Sequence, residues 1–93
     1  MSLQQPTAEM KWLMETIADA LAIDEAEVTP GAYLVEDLQA DSLDVADICG
    51  TVEDQYGIEI SDEEELSELR TVQMWYDFIE RLRAEQGVAG AQS

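Results

Sequence analysis

The residues best placed for chemistry lie in one short stretch, Asp37-Leu38-Gln39-Ala40-Asp41-Ser42-Leu43-Asp44. It puts a serine hydroxyl where a helix is expected to begin, between two carboxylates, with a leucine just after it. Two readings fit. Either Ser42 or Asp41 caps the helix by accepting from its free first-turn amides, or the Ser42 hydroxyl is offered to another enzyme. A self-activated nucleophile is disfavoured, because there is no His in the chain and no Lys nearby to take the proton. The missing His also removes Ser-His-Asp and Cys-His arrangements and any His-containing zinc site. A single cysteine, Cys49, excludes an intramolecular disulfide and a Cys-only zinc site. Carboxylates are dense, yet no Asp-x-Asp-x-Asp-Gly calcium loop occurs. Weak divalent binding at Asp44, Asp47, Glu53, Asp54 or Glu59 is expected only as a stabilising side effect, not as a specific metal site.

Charge narrows the partners. Twenty-two acidic residues face four basic ones, a net charge of −18 over 93 residues. Such a field repels phosphate backbones and anionic headgroups, so neither nucleic acid nor a membrane surface is expected as partner. A basic protein surface is. Mutual repulsion also favours a monomer. With 46% apolar residues the chain carries enough to fold as one domain. No apolar run approaches the roughly 20 residues of a bilayer span, and no signal-peptide pattern opens the sequence. With one free thiol, this points to a cytoplasmic protein.

The elements that must position Ser42 follow from periodicity and caps. Residues 1–6 read as a flexible lead-in, and Thr7 as the N-cap of a helix over about 8–22. Met10, Leu13, Met14, Ile17, Ala18 and Leu21 form its buried face. Residues 23–41 have no long period, and a loop of that length is expected to be packed, with Val28, Tyr33, Leu34 and Leu38 as its pins. A second helix starts near Asp41-Ser42, buries Val45, Ile48, Cys49, Val52 and Tyr56, and stops at Gly57. Asp44, Asp47, Glu53 and Asp54 should face solvent. Ser61-Asp62-Glu63-Glu64 fits a capping box and opens a short acidic helix, whose Asp62–Glu65 acids read as a solvated face. Thr71 caps a last helix with Val72, Trp75, Tyr76, Ile79 and Leu82 on one side. Ile58 and Ile60 alternate, too briefly for a sheet. The fold class is therefore all-α: a small bundle of three main helices and one short one, spanning 7–83, with 84–93 as a flexible tail.

These elements resemble acyl carrier proteins of the dissociated bacterial type from Glu27 to Ile79. The likeness runs through Glu27-Val28-Thr29, Leu34-Val35-Glu36-Asp37-Leu38 and Ala40-Asp41-Ser42-Leu43-Asp44. It continues through Ile58-Glu59-Ile60-Ser61-Asp62-Glu63-Glu64, Thr71-Val72-Gln73 and Asp77-Phe78-Ile79. The resemblance implies that Ser42 receives a 4′-phosphopantetheine arm from coenzyme A by the action of a phosphopantetheinyl transferase. The arm's thiol would then carry acyl groups as thioesters, the protein itself catalysing nothing. It further implies docking to ketoacyl synthase type and acyl-transferring enzymes through Asp41, Leu43, Asp44, Ala46, Asp47, Gly50, Glu53 and Asp54. An acyl pocket is implied among Val45, Ile48, Cys49, Val52, Tyr56, Trp75 and Ile79. Cys49 reads as a small buried hydrophobe.

Several positions depart from the family. Gln39 stands where a glycine is usual, and Ala46 and Gly50 stand where fatty-acid carriers show larger apolar side chains. Trp75 and Tyr76 are bulky for the last helix. These departures suggest a specialised carrier, in fatty acid, lipid or polyketide biosynthesis, rather than the housekeeping one. The competing reading is an acidic interaction protein, a nucleic-acid mimic or inhibitor, which needs no modification of Ser42.

Overall fold

A computed structural model describes residues 7–86. The remaining segments, 1–6 and 87–93, contain the expected lead-in and most of the expected tail and lie outside the described residues. Four α-helices follow one another: α1 (Ala8–Leu21), α2 (Ser42–Tyr56), the short α3 (Glu63–Ser67) and α4 (Val72–Gln86). The all-α bundle expected from periodicity is what forms, with no strand among the described residues.

Local signals set the boundaries. The Met10 N–H donates to Thr7 Oγ1 at 3.1 Å, the cap expected for α1. Ala22 then turns left-handed, φ 58°, and ends that helix. Gly57 does the same for α2 at φ 66°, where the absence of a β-carbon removes the strain. Thr71 caps α4 by accepting from the Met74 N–H at 3.2 Å. The cap of α3 falls one residue later than expected: the Asp62 carboxylate, not the Ser61 hydroxyl, accepts from the Glu65 N–H. A carboxylate is the stronger acceptor for a first-turn amide.

The core is assembled where α1 meets α2 and α4. Leu13, Ile17, Ile48, Val52, Val72 and Trp75 are sealed from solvent at its centre. Phe78 is buried as well, although it lies beside the expected stripe of α4, so that helix buries a wider face than its period suggests. At its far end α4 runs to Gln86, three residues past the expected boundary at 83. Its last turn is held by a reciprocal pair, Glu59 N–H to Gln86 Oε1 and Gln86 Nε2 to the Glu59 carbonyl, both 3.0 Å.

Residues 23–41 form a packed loop with a single 3-10 turn at Glu25–Glu27. Val28, Leu34 and Leu38 are buried as expected. Tyr33 is not: its side chain is 42% exposed, and its backbone instead bridges to Thr71. The loop is tied to the start of α4 by Leu34 N–H to the Arg70 carbonyl (2.9 Å), Val72 N–H to the Ala32 carbonyl (3.1 Å) and Gln73 N–H to the Pro30 carbonyl (2.9 Å). Backbone bonds therefore do part of the pinning assigned to side chains. The loop delivers Ala40, buried, directly before Asp41 and so fixes where α2 begins.

Candidate functional site

The α2 N-terminus is closed by a reciprocal box. Asp44 N–H donates to Asp41 Oδ1 at 2.9 Å, and Asp41 N–H donates to Asp44 Oδ2 at 3.1 Å. Asp41 is therefore the cap, and Ser42 is the first helical residue. Of the two possible caps in the sequence, the structure uses the carboxylate, which frees the serine. Ser42 is exposed, and its hydroxyl enters no hydrogen bond among the described residues. The first-turn N–H groups of Ser42 and Leu43 are two of the donors a helix start leaves unpaired, and they add partial positive charge beside the hydroxyl. That suits a phosphodiester on this oxygen. Just before the cap, Gln39 is held at φ 63°, a left-handed turn that carries the chain from the loop into α2.

The outer face of α2 follows from the same register. Leu43 stands out at 78% exposure. Ala46, Asp47, Gly50 and Asp54 are all exposed along the helix behind it. A β-carbon at Gly50 would meet nothing within 4 Å, so the face is shallow there and open. Two acids expected to project into solvent do not simply do so. Asp44 is half-buried with its carboxylate in the capping box. Glu53 is half-buried, and its Oε2 accepts from the Ile60 N–H at 2.7 Å, clamping the chain that returns after Gly57. Both turn inward because an unpaired backbone amide needs an acceptor there. Among the described residues no cluster of three or more metal-ligating side chains occurs.

A cavity of about 340 Å³ opens beside Ser42. The loop contributes Leu34, Val35 and Ala40 to its wall, and α2 contributes Asp41, Ser42 and Val45. The far wall is α3 with Leu66, Ser67 and Glu63, followed by Leu69, and Trp75 of α4 closes it. Of the seven side chains implied for an acyl pocket, Val45 and Trp75 line this space. Ile48, Val52 and Ile79 are buried in the hydrophobic core instead. Tyr56 lies at the opposite end of α2, about 20 Å from Ser42 by helix rise. There it stacks edge-on to Trp12 at 5.3 Å and carries the Arg83 guanidinium over its ring at 4.4 Å. Cys49 is half-buried in the packing around the core, and burial, with the nearby Glu53 charge, pushes its thiol up to about 11. It is protonated at neutral pH, as a small hydrophobe should be.

Sequence reasoning missed Leu34, Ala40, Leu66 and Leu69 as cavity wall. Leu66 and Leu69, three apart in an otherwise acidic stretch, were the available signal.

Residues 11–79 match the family model described as "Phosphopantetheine attachment site". Three curated relatives are each named "Acyl carrier protein". The one from Solidesulfovibrio magneticus is 44% identical over 71 residues, covering 76% of this chain and 90% of its own. The one from Rubrobacter xylanophilus is 43% identical over 67 residues, covering 72% and 82%. The one from Thermosynechococcus vestitus is 46% identical over 63 residues, covering 68% and 76%.

Proposed function

The chain belongs to the acyl carrier proteins, a family built around a phosphopantetheine attachment site, and from that premise we propose that Ser42 is the residue that bears the arm. The observation that carries this reading is the division of labour at the start of α2. Asp41 does the capping, and the adjoining hydroxyl is left exposed and uncommitted. With no base beside it, Ser42 reacts only when a phosphopantetheinyl transferase supplies one. Ser42 Oγ then forms a bond to the phosphorus bearing the pantetheine arm of coenzyme A, the pyrophosphate link breaks, and adenosine 3′,5′-bisphosphate leaves. The hydroxyl proton passes to the transferase's base. The arm supplies a terminal thiol that holds an acyl group as a thioester. The chain itself is a carrier, not a catalyst. Its first-turn amides balance part of the phosphodiester charge.

Leu43, with Ala46, Asp47, Gly50 and Asp54 behind it, forms the face offered to basic patches on synthases and acyl-transferring enzymes. Asp41, Asp44 and Glu53 add to its field from positions where they also hold the fold. Contacts of this kind give fast encounter with modest affinity, which suits a monomeric cytoplasmic shuttle. The thin outer face at Ala46 and Gly50, and the indole of Trp75 at the cavity, favour a dedicated pathway over general fatty-acid elongation.

The test is intact mass after incubation with coenzyme A and a broad-specificity phosphopantetheinyl transferase. Wild type should gain one arm. Ser42→Ala should gain none and keep its stability within about 0.5 kcal/mol, as expected for a surface side chain with no structural bond. Asp41→Ala should still gain the arm while losing about 1 kcal/mol, the usual effect of removing an N-cap. A folded, unmodified wild-type chain that gains nothing would refute the assignment and favour an acidic interaction protein.

A further inference from the structure

Between α3 and α4, one buried side chain stands outside the core. Phe78 is buried, yet the other buried apolar residues join in a single cluster that leaves it out. Its cover is a charge. The Arg81 guanidinium lies 5.4 Å from the ring centre, paired with Glu65 of α3 and with Glu85 one turn further along α4. Two grooves, of about 350 and 240 Å³, meet at this spot, and Glu65, Phe78 and Arg81 are the residues that line both. The larger groove is completed by Glu68, Leu69, Met74 and Asp77. Ile60 and Leu82 line the smaller one, with Glu59 and Asp62 beside them. No residue of α2 lines either groove.

Apolar side chains and carboxylates therefore share one concave face. Met74, 40% exposed one turn before Phe78, also stays out of the core packing, and a methionine adapts readily to whatever covers it. Six carboxylates line the two grooves against the one guanidinium, which two of them already share. Glu59, Asp62, Glu68 and Asp77 pair with no cation among the described residues. A cleft lined by charge of one sign concentrates its field and draws in the opposite sign. Arg81 shows within the chain what such a place accepts: a guanidinium over an aromatic ring with carboxylates at its edge. We infer that this face is a second docking surface, which takes a segment of a partner protein presenting basic side chains beside apolar ones. The basic groups lie against Glu68 and Asp77, and the apolar neighbour rests on Met74 and Leu69. Nucleic acid, an anionic lipid surface and a second copy of the chain are all disfavoured by the net charge of −18. Because α2 takes no part, the surface stays open while an enzyme holds the α2 face.

The test uses two synthetic peptides and the full chain labelled with nitrogen-15. One peptide is Arg-Leu-Lys-Phe-Arg-Leu-Lys, and its companion keeps every cation with serine at each apolar position. On titration with the first, the amide peaks of Leu69, Met74, Asp77 and Arg81 should move most, and those of Leu43 and Gly50 on α2 little. The apolar peptide should bind roughly fivefold tighter than its companion, the scale of one interface anchor. Met74→Ser should erase that excess with the melting temperature unchanged, since the side chain is outside the core. Glu68→Gln should weaken both peptides. Equal affinity for the two peptides overturns the inference, because the face then only gathers counterions. Largest shifts on α2, an excess that survives Met74→Ser, or no binding of either peptide overturns it as well. Ser42 plays no part in these readings, so their failure leaves the carrier reading untouched, and an unmodifiable Ser42 leaves this surface untouched.

Discussion

Gln39 sits three residues before Ser42 with φ at 63°, where a β-carbon crowds the neighbouring backbone. Its side chain makes no hydrogen bond among the described residues that would offset this. At this point the chain must reverse between buried Ala40 and the loop behind it. Gln39→Gly should therefore stabilise the fold by about 0.5–1 kcal/mol, the relieved strain being partly offset by a freer unfolded chain. Chemical denaturation would show it as a higher midpoint with an unchanged slope, and an unchanged or lower midpoint would refute it. At this scale the neighbours of Ser42 alone pointed to a helix cap, and its proposed role as attachment residue came from the family resemblance. The identity of the cap was not legible. Asp41 and Ser42 are both good caps, and only the closed pair of bonds between Asp41 and Asp44 separates them. The orphaned indole of Trp75 was equally hidden, since a partner's absence depends on everything packed around it.

Among the elements, α2 carries the proposed attachment residue and docking face. Gly50 lies in its interior, fully open on the outer side, where glycine lowers helix stability by about 1 kcal/mol relative to alanine. Gly50→Ala should raise the melting temperature by about 4–8 °C per kcal/mol recovered, because the added methyl meets no neighbour. A fall in melting temperature would mean that the face is covered in solution. Helices α1, α2 and α4 were legible because a 3.6-residue period and the caps Thr7, Gly57 and Thr71 agree with one another. What the sequence hid was decided between elements. Tyr33 faces out because the backbone bridge to Thr71 already fixes its segment. Glu53 turns in because the returning chain presents the Ile60 amide. The cavity wall joins Leu34 and Ala40 of the loop to Leu66 and Leu69, two segments far apart in the chain whose meeting no local period announces.

For the molecule as a whole, charge sets two opposing responses to salt. The four basic residues leave 18 acids uncompensated, and two of those four are already committed on α4. Arg81 bridges Glu65 and Glu85, and Arg83 pairs with Glu80 and lies over the ring of Tyr56. Along α2 there is no basic residue at all, so repulsion is concentrated on the face proposed for docking. Raising ionic strength to about 0.15 M shortens the screening length to about 8 Å, and 1 M shortens it to about 3 Å. Self-repulsion weakens first in the folded chain, where the charges are closest. Stability should thus rise with NaCl, and also with Mg²⁺, by about 1 kcal/mol or several degrees in melting temperature. Association with a basic partner enzyme should respond in the opposite sense, its rate constant falling roughly tenfold or more over the same range because steering is screened. Thermal melts and stopped-flow association on one salt series test both arms. A carrier that docks through this face gives slopes of opposite sign. If stability rises with salt while the association rate stays flat, the acids of α2 serve solubility and the partner reads Leu43 and its apolar surroundings instead.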